Sequence, residues 1–120
     1  MKTVLLALLL VTALHAQSPS PGLTFHHAPK ALAKEATTAD WPRFLGPADN
    51  CTTPESPLLE KFPSTGLPLV FEISRGDSYA SPIIAGGRLL HFHALEGKET
   101  LDCLQPETGQ RFWSFDYPIT

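Results

Sequence analysis

The chain has 120 residues, enough for one small domain. Twelve prolines and eight glycines punctuate it, which excludes a largely helical fold and suits short strands joined by turns. The formal net charge is −3, and from Asp40 onward eleven Asp and Glu stand against six Lys and Arg. No basic stripe is available to grip phosphates, so nucleic acid is not an expected partner.

The first residues read as an address. Lys2 supplies a short positive region, and Val4 to Leu14 is a leucine-rich run of eleven residues. That is well short of the ~20 needed to span a bilayer as a helix. Small or polar residues follow at Ala16, Gln17 and Ser18. The pattern predicts a secretory signal peptide over residues 1–18, cleaved after Ala16 or after Ser18. The protein is expected to be exported, periplasmic or secreted, with no membrane span once the signal is removed. No cysteine ends the apolar run, so lipidation is not indicated. The two cysteines, Cys51 and Cys103, are permitted to pair in an exported protein, but spacing alone does not bring their Cα atoms together.

Residues 19–39 carry Ser-Pro-Ser-Pro-Gly, the His26-His27 pair and an Ala/Lys/Glu/Thr stretch without an apolar stripe. They read as a flexible linker. The two histidines lack a third metal ligand in register and read as solvated. Residues 40–78 form a lead-in segment. Trp41, Phe44, Leu58, Leu59 and Phe62 are apolar anchors in a proline-stiffened stretch, and Leu67 to Ile73 reads as a strand.

Residues 79–120 are the orderly part. Tyr79 to Ala85 reads as a strand weakened by Pro82, and Gly86-Gly87 as a two-residue hairpin turn. Arg88 to Ala94 follows, then a turn at Glu96-Gly97 and a strand from Glu99 to Leu104. A turn over Pro106–Gly109 leads into Gln110–Phe115. The fold class expected is all-β: one four-stranded antiparallel sheet plus a lead-in strand. Gly109 supplies left-handed backbone at the last turn, and Thr108 can cap it through its hydroxyl. Trp113 carries a flat surface that a single sheet leaves uncovered, so it requires a neighbouring sheet.

The stretch from Tyr79 through Cys103-Leu-Gln-Pro-Glu-Thr-Gly-Gln-Arg-Phe-Trp113 resembles one repeat of the pyrroloquinoline-quinone-type (PQQ-like) β-propeller family. In that family a tryptophan-docking motif runs Ala-x-Asp-x-x-Thr-Gly-Lys-x-x-Trp. Thr108, Gly109 and Trp113 match it, while Cys103, Gln105 and Gln110 replace the alanine, the aspartate and the lysine. Upstream, Asp40-Trp-Pro-Arg-Phe-Leu-Gly-Pro is similar to the lead-in of exported bacterial members. WD40 repeats would show Gly-His and Trp-Asp pairs, which are missing. Kelch repeats are mimicked only by Gly86-Gly87 with Trp113. The resemblance implies that residues 79–120 are the first blade of a larger propeller, with adjacent blades and other exported proteins as partners.

Two functions follow from the resemblance. One is a binding or scaffold propeller without a cofactor, as in an outer-membrane assembly lipoprotein of the same superfamily. The alternative is the N-terminal part of a quinone-dependent alcohol or sugar dehydrogenase, whose PQQ and Ca²⁺ would be held by groups from several blades. The sequence favours the first. It has no adjacent cysteines, no Ser/His/Asp order, no phosphate loop and no CxxC. No catalytic, cofactor-binding or metal residue is assigned. Asp77, Glu96, Glu99, Asp102, Glu107 and Asp116 read as solvated or turn carboxylates. His91 and His93 share one strand face. They read as a polar face opposite Leu90 and Phe92, which are expected to face the core.

Overall fold

The computed structural model of the chain describes residues 22–120. The signal peptide expected over residues 1–18 lies outside them. The described part is all-β, with six strands in two antiparallel sheets: β1 (Leu23–Phe25), β2 (Phe71–Ile73), β3 (Ile83–Ala85), β4 (Arg88–Leu95), β5 (Lys98–Leu104) and β6 (Arg111–Pro118). No helix of the described residues is long and apolar enough to cross a membrane.

The larger sheet is a meander in the order β3-β4-β5-β6. Two tight hairpins build it. Gly86 and Gly87 take φ of 57° and 68° between Ala85 and Arg88, and Glu96 and Gly97 take 52° and 75° between Leu95 and Lys98. Positive φ at both central residues gives the turn a twist that matches the strands it joins. At the third reversal the β5–β6 register shifts between Cys103 and Leu104. A bulge there lets the chain bend where the longer turn rejoins the ladder.

Two strands are shorter than their residues suggest. Leu67 to Ile73 is strand only from Phe71, because its sole partner is the three-residue β1. That partner lies in the stretch read as linker. Tyr79 to Ala85 is strand only from Ile83. Upstream, Asp77 bridges Ala94, and Ser78 Oγ donates to the Phe92 carbonyl at 2.6 Å while accepting from the Ala80 amide at 3.1 Å. The hydroxyl thus closes a loop over Tyr79–Pro82, where proline offers no amide to the ladder. The outer edge of β3 is covered by the lead-in: Trp41 exchanges both backbone hydrogen bonds with Ile84, and Asp40 accepts from the Gly86 amide.

Directly opposite residues of an antiparallel pair share a face. One face carries the rows Leu90–Cys103–Trp113, Phe92–Leu101–Phe115 and Ala94–Glu99–Tyr117. The other carries His91–Asp102–Ser114 and His93–Thr100–Asp116. The histidine face is the covered one. His91, His93 and Asp102 are 8%, 4% and 7% exposed, whereas Phe92 is 36% exposed. This reverses the expectation that Phe92 faces the core, and Asp102 is not a solvated carboxylate. The reason is tertiary: β2 lies over this face, with Phe71 and Ile73 beside Leu89 and Leu104. Only Cys103 and Leu104 are fully buried apolar side chains among the described residues. Both cysteines are free, Cys51 exposed and Cys103 buried.

The strap from β2 to β3 approaches the sheet closely at Gly76. A Cβ built there would lie 1.4 Å from the Ala94 carbonyl oxygen, inside any tolerable contact. We expect Gly76→Ala to break the Asp77–Ala94 bridge and cost about 3 kcal/mol. Urea unfolding would show this as a lowered midpoint, with Gly66→Ala, where nothing lies within 4 Å but φ is +79°, losing less.

Candidate functional site

Two features carry chemistry: a buried polar cluster on the covered face, and the turn-to-tryptophan segment that ends on the open face. The polar cluster begins with the β4–β5 register, which sets His91 opposite Asp102 and leaves His93 diagonal to it. His93 Nε2 lies 3.1 Å from Asp102 Oδ2. On its other side the Gly76 amide donates to His93 Nδ1 at 3.3 Å. An amide can only donate, so Nδ1 holds the lone pair and the proton sits on Nε2, which donates to the carboxylate. Both ring nitrogens are thereby committed. His93 is a strut between strap and sheet, and neither nitrogen is free to move a substrate's proton.

Asp102 is less fully served. Its Oδ1 is buried without a hydrogen bond, and the nearest cation, Arg111, stands 4.0 Å away. His91 stacks on His93 with ring centroids 4.8 Å apart and planes 14° from parallel. Burial holds the His91 imidazole below its ordinary pKa; the neighbouring His93 and Arg75 act the same way, and Asp102 opposes them. Beside the cluster lies an open polar cavity of about 190 Å³ lined by Lys98, Thr100, Ser114 and Asp116. His26, read as solvated, contacts Glu72 at the surface. Among the described residues no group of three or more His, Cys, Asp or Glu could hold a metal ion.

The turn is closed by Gln105. Its Oε1 accepts from both the amide and the hydroxyl of Thr108, at 2.7 and 2.8 Å. Backbone bonds from Gly109 to Gln105 and from Gln105 to Gln110 complete it. Gly109 sits at φ 69°, and a Cβ there would meet Phe71 and Leu23 at 2.7 and 2.8 Å. The turn therefore packs on the small β1–β2 sheet, and glycine is needed both for conformation and for space. Trp113, paired with Cys103, remains 46% exposed, with Phe115 and Tyr117 exposed along the same face. Gly86 and Gly87 turn at the same end of the sheet, where Gly87 lines a shallow pocket with Pro106 and Glu107, and nothing lies within 4 Å of their missing Cβ positions. The sequence shows Asp102 only as a solvated carboxylate and Gln105 only as a replacement in the repeat pattern; the buried role of the first and the turn-closing role of the second come from the structure. The Glu96-Gly97 turn, counted outward in pairs, was the available signal for the first.

No family model, curated protein or solved structure matches the chain.

Two outcomes test these assignments. A buried histidine held neutral stabilises the fold fully above its unfolded pKa, near 6.5, and that contribution is lost as pH falls through the lower folded value. Unfolding midpoints should fall between about pH 7.5 and about pH 5, and His91→Leu should flatten that slope. Gln105→Ala removes both bonds to Thr108 and should cost about 1–2 kcal/mol. Gln105→Asn, one methylene shorter, should recover part of it in the same unfolding measurement.

Proposed function

We propose that residues 79–120 are one blade of an exported PQQ-like β-propeller, and that the protein works as a binding or scaffold module. The observation that carries this reading is the bare aromatic face of the four-stranded sheet. Phe92, Trp113, Phe115 and Tyr117 are 36%, 46%, 61% and 42% exposed on one side. Large contiguous apolar surface of this kind is a docking surface. Covering a further ~100 Å² on each ring would contribute about 2.5 kcal/mol per ring. The partners proposed are adjacent blades and, through the assembled faces, other exported proteins. Gln105 adds support, because it closes the turn in the place where the repeat pattern has an aspartate.

The dehydrogenase reading stands on the resemblance alone. Dye reduction on adding PQQ and Ca²⁺ to the protein would favour it over the scaffold reading.

The blade reading is tested by joining a second copy of residues 79–120 to the first in a Trp41→Phe background. Trp113 emission should shift to the blue and unfolding should become more cooperative as blades stack. Unshifted emission with two independent transitions would refute it. Export is tested separately: the protein recovered from a bacterial periplasm should begin at residue 17 or 19.

A further inference from the structure

The cover over the histidine face leaves a cleft of about 180 Å³. Phe71 and Ile73 of β2 form one wall, and Leu89 and Leu104 of the large sheet form the other. The polar side chains reaching it are Arg75 and His91. Neither makes a hydrogen bond or ion pair with the described residues. An apolar cleft with a few converging polar groups is the usual form of a small-molecule site.

Charge and size narrow the occupant. Arg75 is permanently cationic, and its planar fork matches a carboxylate with two parallel bonds. His91 is held neutral by its burial, so the cleft presents one positive charge at neutral pH. A monoanion balances it, whereas a phosphate dianion would bring a second charge against hydrocarbon walls. An apolar cavity of about 150 Å³ accommodates benzene, so this cleft has room for a body of that size. We propose that the cleft binds a small apolar monocarboxylate, its carboxylate on Arg75 beside His91 and its hydrocarbon body between β2 and the sheet. This goes beyond the scaffold reading and does not depend on it.

The test is a titration of the full chain with sodium benzoate, followed by NMR of its methyl groups. Benzyl alcohol, a neutral molecule of similar size, serves as the comparison. Benzoate should bind with a dissociation constant on the order of 1 mM, as suits so small a ligand. The shifts should centre on Ile73, Leu89 and Leu104, and benzyl alcohol should bind about tenfold more weakly. Arg75 is exposed, so Arg75→Gln should keep the fold while reducing benzoate affinity to that of the alcohol. Equal affinity for the two ligands would overturn the proposal, and this comparison needs no variant. So would unchanged benzoate binding in Arg75→Gln, or an absence of shifts at those methyls.

Discussion

The two-residue turn at Glu96-Gly97 sets the β4–β5 register, and most of the structure depends on it. Counting outward from Leu95 and Lys98, the ladder places Ala94 opposite Glu99, His91 opposite Asp102 and Leu90 opposite Cys103. A slip of one residue would exchange the faces of one strand relative to the other. It would bring Leu90 against Asp102 and leave the carboxylate without its histidine. The register therefore decides that a buried charge finds a donor, which is the condition for burying it at all.

From that register the two faces acquire different uses. The histidine face is tied down by a strap whose closest point, Gly76, both donates to His93 and lies against the Ala94 carbonyl. This arrangement consumes the imidazole's hydrogen-bonding capacity, which makes His93 a structural element and leaves the stacked His91 to face the apolar cleft. The opposite face keeps its aromatic rings bare. A single sheet cannot bury both sides, and the short β1–β2 pair has area for one only. With Cys103 and Leu104 the fully buried apolar side chains among the described residues, much of the hydrophobic surface on the Trp113 side is still uncovered. That asymmetry is the physical basis for reading the chain as a module that joins something else.

The turn at Gln105–Gly109 links these parts. Its closure rests on a side-chain carbonyl reaching two donors of Thr108, and its glycine lies against Phe71 and Leu23. The segment that delivers Trp113 to the open face is thus anchored by contacts with the covering sheet.

Local chemistry along the chain was sufficient for the meander. Paired glycines, an acidic-Gly turn and short runs of apolar and aromatic residues between them specify hairpins within a few positions of each other, and such contacts carry little chain entropy. The limits of the strands were less legible. Leu67 to Pro68 lacks a partner because β1 comes from residues far upstream, and Tyr79–Pro82 loops out because Ser78 offers its hydroxyl to the backbone instead. The inversion of the faces was not legible at all. Alternation in Leu90-His91-Phe92-His93 states that two faces differ; it does not state which one is covered. Only the docking of Phe71 and Ile73 decided that, because once Asp102 and the Gly76 amide satisfied His93, burying the histidines cost less than leaving that side open.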